Sequence, residues 1–348
     1  MIEFISDYGL FLAKSITIVV AILITVGGIV AISLRNQQKG KEHIEVKHLN
    51  QRYDDIALTL QSAILPKKKF KQLLKEQKKQ HKHSADTPHR RLFVLNFHGD
   101  IRANAVASLR EEITAVLTVA SSGDEVLVRL ESAGGLVHAY GLAASQLQRL
   151  KAHNVKLTVA VDKVAASGGY LMACVADRII AAPFAVIGSI GVLAQLPNFN
   201  RWLKKNEIDF EQFTAGEFKR TVTVFGENTP QGREKFQQDL EETHALFKEF
   251  VSTHRNQLDI AQVATGEHWY GKQALDLKLV DDLQTSDDYL LDSRKDAELY
   301  EIIYSGKKTV LGKLLGASGQ LLDQCLGRLR NQLPGQAEDD WSSSLPRL

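Results

Sequence analysis

A glycine-flanked serine at the end of an apolar run, where a helix-forming stretch begins, is a place where an alcohol can become a nucleophile. Ser167 occupies such a place in Val164-Ala-Ala-Ser-Gly-Gly-Tyr170. A second small-residue run, Ser132-Ala-Gly-Gly135, has the same setting after Val126–Leu130. Glycine lets the backbone take positive φ and approach a substrate closely. A loop that feeds a helix aims unsatisfied N–H groups outward, which suits a developing oxyanion. The two runs together favour a nucleophilic reading of Ser167 without settling it. A plainer reading competes, because serine is a preferred N-cap and Ser167 serves that purpose on residue type alone. Neither run matches a Walker A or GxGxxG pattern, so a phosphate cradle is not expected. The eleven histidines are scattered, with His81 and His83 inside a lysine-rich stretch, and no metal or other cofactor is expected.

The elements that position these runs alternate strand and helix. Leu92–Phe97, Val126–Leu130, Val155–Val161 and Arg178–Ala182 read as strands. Between them, Asn104–Ala120 carries Val106, Leu109, Ile113, Val116, Leu117 and Ala120 on one helical face. A further helix spans about Leu136 to Ala152, and Thr229-Pro230 opens a long one, with threonine as N-cap and proline at the first position. Repeated units of this length predict an α/β fold with a largely parallel sheet, whose ligands bind beyond the carboxyl ends of the strands. Both glycine runs fall at such ends.

The chain has 348 residues, 44% of them hydrophobic, and a net charge of +2, the balance of a globular protein with no nucleic-acid partner. Cys174 and Cys325 form no CxxC or Cys/His cluster and read as two free thiols. Ser15–Leu34 is an unbroken apolar run of about the ~20 residues that cross a ~30 Å hydrocarbon core. With acidic Glu3 and Asp7 before it, the run reads as an uncleaved transmembrane helix rather than a signal peptide. Ile179–Leu196 is also apolar but is broken by Pro183, Gly188, Ser189 and Gly191, and reads as a buried strand and loop. Residues 36–91 hold eight lysines between Lys67 and Lys82 and an amphipathic pattern at Tyr53, Ile56, Leu60 and Ile64. The expected organisation is an anchor over 1–35, a basic, partly helical linker over 36–91, a catalytic domain over 92–290 and an extension over 291–348.

Asp162-Lys-Val-Ala-Ala-Ser-Gly-Gly-Tyr170 resembles the nucleophile segment of the signal peptide peptidase A family. Glu131-Ser-Ala-Gly-Gly135 is similar to that family's S-P-G-G loop, with Ala133 in place of proline. Ile187-Gly-Ser-Ile-Gly-Val192, Thr214-Ala-Gly-Glu-Phe-Lys219 and the Tyr270–Leu283 stretch resemble its later segments in the same order. The resemblance implies a ClpP/crotonase-like parallel-sheet domain and a Ser–Lys dyad. In it Ser167 is the nucleophile, Lys219 its general base and Ser189 a hydrogen-bonding partner of the lysine. N–H groups of Gly134 or Gly135 and of Gly168 form the oxyanion hole. A lysine acts as a base only when largely neutral, which calls for burial away from acids.

The resemblance further implies a peptide or protein substrate, association with a lipid bilayer and a homo-oligomer in which the lysine can come from a neighbouring subunit. It favours the periplasmic face of a bacterial inner membrane. The positive-inside rule, applied to Arg35, Lys39 and Lys41, favours the cytoplasm. Two alternatives keep the fold: an acyl-CoA enzyme of the crotonase type, and an inactive membrane scaffold.

Overall fold

Alternation decides which way each strand faces. In the strand Arg90–Gly99, Phe93, Leu95 and Phe97 join one apolar cluster and Leu92 and Val94 another, and all five are buried. Successive side chains of a strand leave opposite faces, and burial on both is the mark of a parallel sheet covered on both sides. The computed structural model describes residues 43–84 and 90–305, together with 14–22 and a few positions between 9 and 27.

The strands are β1 (His43–His48), β2 (Arg90–Gly99), β3 (Glu125–Ser132), β4 (Lys156–Val161), β5 (Val164–Ala166), β6 (Arg178–Ala181), β7 (Val186–Gly188), β8 (His268–Tyr270), β9 (Asp282–Leu283) and β10 (Ala297–Ser305). The helices are α1 (Leu49–Ile64), α2 (Lys67–Ser84), α3 (Val106–Val119), α4 (Val137–Ala152), α5 (Gly168–Ala173), α6 (Asn200–Lys205), α7 (Pro230–His254), α8 (Ile260–Val263), α9 (Gly271–Asp276) and α10 (Ser286–Ser293). One sheet runs β1-β10-β2-β3-β4-β6-β9, and a side branch leaves β3 through β5 and β7 to β8. The pairs from β10 to β9, and those of β5 with β3 and β7, are parallel, while β7 with β8 is antiparallel. This is the expected α/β architecture.

Helices α3 and α4 cover one face through Leu109, Ile113, Val116, Ala143, Ala144 and Leu147, and the other face packs Leu49, Tyr289 and Leu290 against Leu92, Val94 and Leu299. The sheet therefore extends past the boundaries expected at 91 and 290. Strand β10 lies beside β2, and Asn50 of α1 holds it, accepting from the Leu299 N–H at 2.7 Å and donating to the Ala297 carbonyl at 3.0 Å. Segments read as linker and extension thus supply an edge of the sheet, and the unit that contains it runs from Ile44 to Tyr304. The expected anchor lies largely outside the described residues. Residues 14–22 are helical, and among the described residues no helix is long and apolar enough to cross a membrane.

Candidate active site

Strand ends bring the two glycine runs together. Ser132 at the end of β3 pairs in register with Ala165 of β5, so the residues that follow each strand leave the sheet side by side. A Cβ built on Gly134 would lie 2.7 Å from the Gly168 nitrogen and 2.8 Å from Cβ of Ser167, which shows how closely the loops approach. Gly134 has φ +91°, a backbone that side chains oppose.

Ser167 itself has φ 51° and ψ −119°, and stands half-buried at the start of α5. Its side chain makes no capping hydrogen bond. The N-cap reading therefore fails, and the hydroxyl is left free for another partner. A non-glycine residue held at such a φ costs about 1–3 kcal/mol and persists only where its surroundings fix it. Here the Ser167 N–H donates to the Gly188 carbonyl at 2.8 Å, and the Ser167 carbonyl accepts from Leu171 at 2.9 Å.

Ser189 follows β7 as Ser167 follows β5, since Ala166 and Gly188 are paired in register. It too has positive φ, 50°, and its N–H donates to the Glu267 carbonyl at 2.7 Å. Its hydroxyl donates to the Gly266 carbonyl at 3.3 Å, not to a lysine. The structure thus brings Ser167, Gly134, Gly168 and the backbone of Ser189 into one neighbourhood.

The expected oxyanion donors divide. The Gly134 N–H is taken, donating to Ser132 Oγ at 3.0 Å. The Gly135 N–H has no partner among the described residues, and the Gly168 N–H lies in the first turn of α5, where a helix offers its donors nothing. Ser132, the first residue of that glycine run, and Tyr140, which no sequence pattern singled out, sit directly behind this loop. Ser132 Oγ is 2.5 Å from Tyr140 Oη, which donates to the Asp100 carbonyl at 2.8 Å. Burial pushes the Tyr140 phenol above its ordinary pKa.

No hydrogen bond among the described residues joins Lys219 to Ser167 or Ser189. The lysine lies on an exposed loop between α6 and α7, and its ammonium makes no hydrogen bond or ion pair among the described residues. It lines a shallow cavity of about 670 Å³ with Phe210, Phe213, Arg220 and Phe225. Phe213 in that lining and Phe218, the residue before Lys219, are exposed. The burial expected of a basic lysine is not supplied by this chain alone. A second cavity, of about 570 Å³ near Arg129 and Glu131, holds charges already paired with one another, Arg129 with Glu301 and Lys163 with Glu131. It does not include Ser167. No group of three His, Cys, Asp or Glu side chains among the described residues is placed to hold a metal ion.

The N-terminal part of peptidase family S49 matches residues 3–147, and peptidase family S49 matches residues 149–300. The chain belongs to peptidase family S49. The motif resemblance to signal peptide peptidase A is borne out, and S49 membership places the chain among serine peptidases rather than acyl-CoA enzymes. Two relatives in the family are similar over nearly their whole length. "Probable protease SohB" of Haemophilus influenzae is 51% identical over 325 residues, covering 89% of this chain and 92% of the relative. "Probable protease SohB" of Buchnera aphidicola subsp. Schlechtendalia chinensis is 49% identical over 303 residues, covering 83% and 99%. Among solved structures, a lysine-to-alanine mutant of the "1510-N membrane-bound stomatin-specific protease", in complex with a substrate peptide, shares 12% identity at a TM-score of 0.42, over 66% of this chain and 99% of that one. A likeness that shallow assigns nothing to individual residues of this S49 peptidase.

Proposed function

We propose that this chain is a membrane-anchored serine endopeptidase of the ClpP/crotonase type, with Ser167 as nucleophile and Lys219 as general base. The observation that carries the reading is the uncapped, half-buried Ser167 hydroxyl, held at φ 51° where two glycine loops meet. Ser167 attacks the scissile carbonyl while Lys219 takes its proton and later passes it to the leaving amine. The N–H groups of Gly168 and Gly135 hold the oxyanion, because that of Gly134 is already engaged by Ser132. Ser189 turns its hydroxyl from the Gly266 carbonyl to the lysine when the site is complete. Substrates are extended or membrane-associated polypeptides.

Lys219 gains its burial from a second copy of the chain. The exposed Phe213, which lines the same cavity, and Phe218, the residue before the lysine in sequence, fit an interface core rather than a solvent face, since aromatic residues are enriched there and lysines that act as bases are desolvated. Ser167→Ala and Lys219→Ala should each abolish hydrolysis of a fluorogenic peptide while leaving the melting temperature within a few degrees. Full activity in either variant overturns the dyad. Mixing the two inactive variants should restore part of the activity, because one subunit keeps Ser167 and its neighbour keeps Lys219. Mixtures that stay inactive while parent subunits exchange place the lysine within its own chain.

The apolar run over Ser15–Leu34 supports a single-pass anchor. The motif resemblance, against the basic flank at Arg35, Lys39 and Lys41, supports the periplasmic face of a bacterial inner membrane for the catalytic domain. A C-terminal reporter active only outside the cytoplasm is the expected result, and a cytoplasmic signal reverses the orientation.

A further inference from the structure

The hydrogen bonds behind the Ser132–Gly135 loop run in a single direction. Tyr140 has one phenolic proton and gives it to the Asp100 carbonyl at 2.8 Å, so at the 2.5 Å contact Ser132 must be the donor. Ser132 Oγ then accepts the Gly134 N–H at 3.0 Å. The order is Gly134 N–H to Ser132, Ser132 O–H to Tyr140, Tyr140 O–H to the carbonyl of Asp100. The far end is itself fixed, because Asp100 accepts the Asn104 N–H at 2.8 Å through its carboxylate and the Ala103 N–H at 2.9 Å through its carbonyl. Ser132 is 2% exposed and Tyr140 0%, so water cannot substitute for either hydroxyl.

The same phenol ring braces the other loop. A Cβ on Gly168 would meet Cγ of Tyr140 at 2.5 Å and Cδ2 at 2.8 Å, which puts the ring directly against the residue that follows Ser167. A Cβ on Gly99 would collide with both the Ser132 and the Tyr140 hydroxyls, so that position is kept open for them. One buried side chain therefore touches Ser132, at the head of one glycine run, and Gly168, in the other.

We propose that Tyr140, acting through Ser132 and against Gly168, is a positioning residue that sets the spacing of the two oxyanion donors, Gly135 N–H and Gly168 N–H. This rests on the Ser167 reading above. It touches no substrate; it holds the donors at the separation that the tetrahedral adduct needs. Hydrogen bonds in such a chain polarise one another, so losing one member weakens the rest.

The test uses the full-length chain in detergent micelles and three variants: Tyr140→Phe, which keeps the ring, Ser132→Ala, and the double variant. Two reactions are followed: hydrolysis of a fluorogenic peptide, for kcat and KM, and labelling of Ser167 by a fluorophosphonate, for its rate. Both reactions place an oxygen in the oxyanion site. Tyr140→Phe should lower kcat and the labelling rate by the same factor, about 10- to 100-fold, since removing a donor outright costs ~10²–10³-fold and here donors are only misplaced. KM should move less than about twofold, because ground-state binding does not use the oxyanion donors. The double variant should be no slower than the worse single one, as expected of links in one chain. Labelling and kcat within twofold of the parent in Tyr140→Phe overturn the proposal, as do effects that multiply in the double variant. If Tyr140→Phe fails to fold, Ser132→Ala carries the same expectation. A parent chain that is not labelled at Ser167 sinks the Ser167 reading together with this proposal, whereas labelling that is normal and indifferent to Tyr140 sinks this proposal alone.

Discussion

Replacing Gly134 with alanine tests whether the distance between the two loops governs activity. The added Cβ would sit 2.7 Å from the Gly168 nitrogen, 2.8 Å from Cβ of Ser167 and 2.9 Å from the Ala166 carbonyl, all backbone or short, rigid atoms. To reach the 3.4 Å of ordinary contact, the loops must separate by about 0.7 Å. At φ +91° an L-residue also costs roughly 1–2 kcal/mol. A displacement of that size at a donor should lower kcat/KM by about 10- to 100-fold. Strain and repacking should remove about 2–3 kcal/mol of stability, within what a folded domain tolerates. Gly141→Ala is the control: it lies in α4 with nothing within 4 Å of its added Cβ, and should gain ~0.5–1 kcal/mol without changing turnover. Peptide hydrolysis and thermal melts of the three proteins decide the matter. A folded Gly134→Ala chain with activity within twofold of the parent refutes the idea that loop spacing sets the rate.

Three further outcomes follow from the packing. Burial alone would raise the pKa of Asp124, but its bonds with Arg91, 2.5 Å and 3.1 Å away, and with Ser121 outweigh this and hold it below its ordinary value. A carboxylate depressed in the fold contributes stability above its unfolded pKa of ~3.9 and loses it as pH falls through the folded value. Arg91→Met should therefore cost about 1–3 kcal/mol at pH 7 and progressively less below pH ~4, and an undiminished gap in acid unfolding contradicts it. Burial pushes the Cys174 thiol up to about 12, so in a Cys325→Ser background native protein should resist a thiol reagent at pH 8 and react fully once unfolded. Stoichiometric labelling of the native protein contradicts that burial. Arg255, 3% exposed, makes two 2.8 Å bonds to Asp281 and one of 2.9 Å to the Lys278 carbonyl. Arg255→Met should cost about 3 kcal/mol and lower the melting temperature by roughly 6–12 °C; a shift under 2 °C shows the pair to be dispensable.

Sequence reading recovered what local periodicity and end signals encode. The apolar stripe of Leu109, Ile113 and Val116 marks α3, and Thr229 accepts the Gly232 N–H at 3.1 Å with Pro230 at the first position of α7, as their residue types predict. The junction of the glycine runs was legible because each follows a strand. The rest depended on contacts distant in sequence. Strand β10 inserts beside β2 some two hundred residues away, which no local pattern announces. Strands β5, β7 and β8 have three residues each, too few for alternation to register. Tyr140 reads in sequence as one more core residue of α4, because its value lies in where its hydroxyl reaches. Lys219 was found only through family motifs, and it stands on an exposed loop where no local pattern marks it as a base.

The row of backbone hydrogen bonds across β5, β7 and β8 bears on how Ser167, the nucleophile proposed above, is aimed. Ser167 hangs its N–H on the Gly188 carbonyl, and the next residue, Ser189, hangs its own on the Glu267 carbonyl. Both serines are kinked to nearly the same φ, so the row works like tiles lapped sideways, each set by the one beside it. Lateral alignment, rather than the stiffness of any one short strand, fixes the aim of the hydroxyl. A slip of one residue between β7 and β8 would turn every side chain in that row to the opposite face. The tolerance of the proposed reaction is thus written into strand pairing at the turn around Gly266, two strands from Ser167.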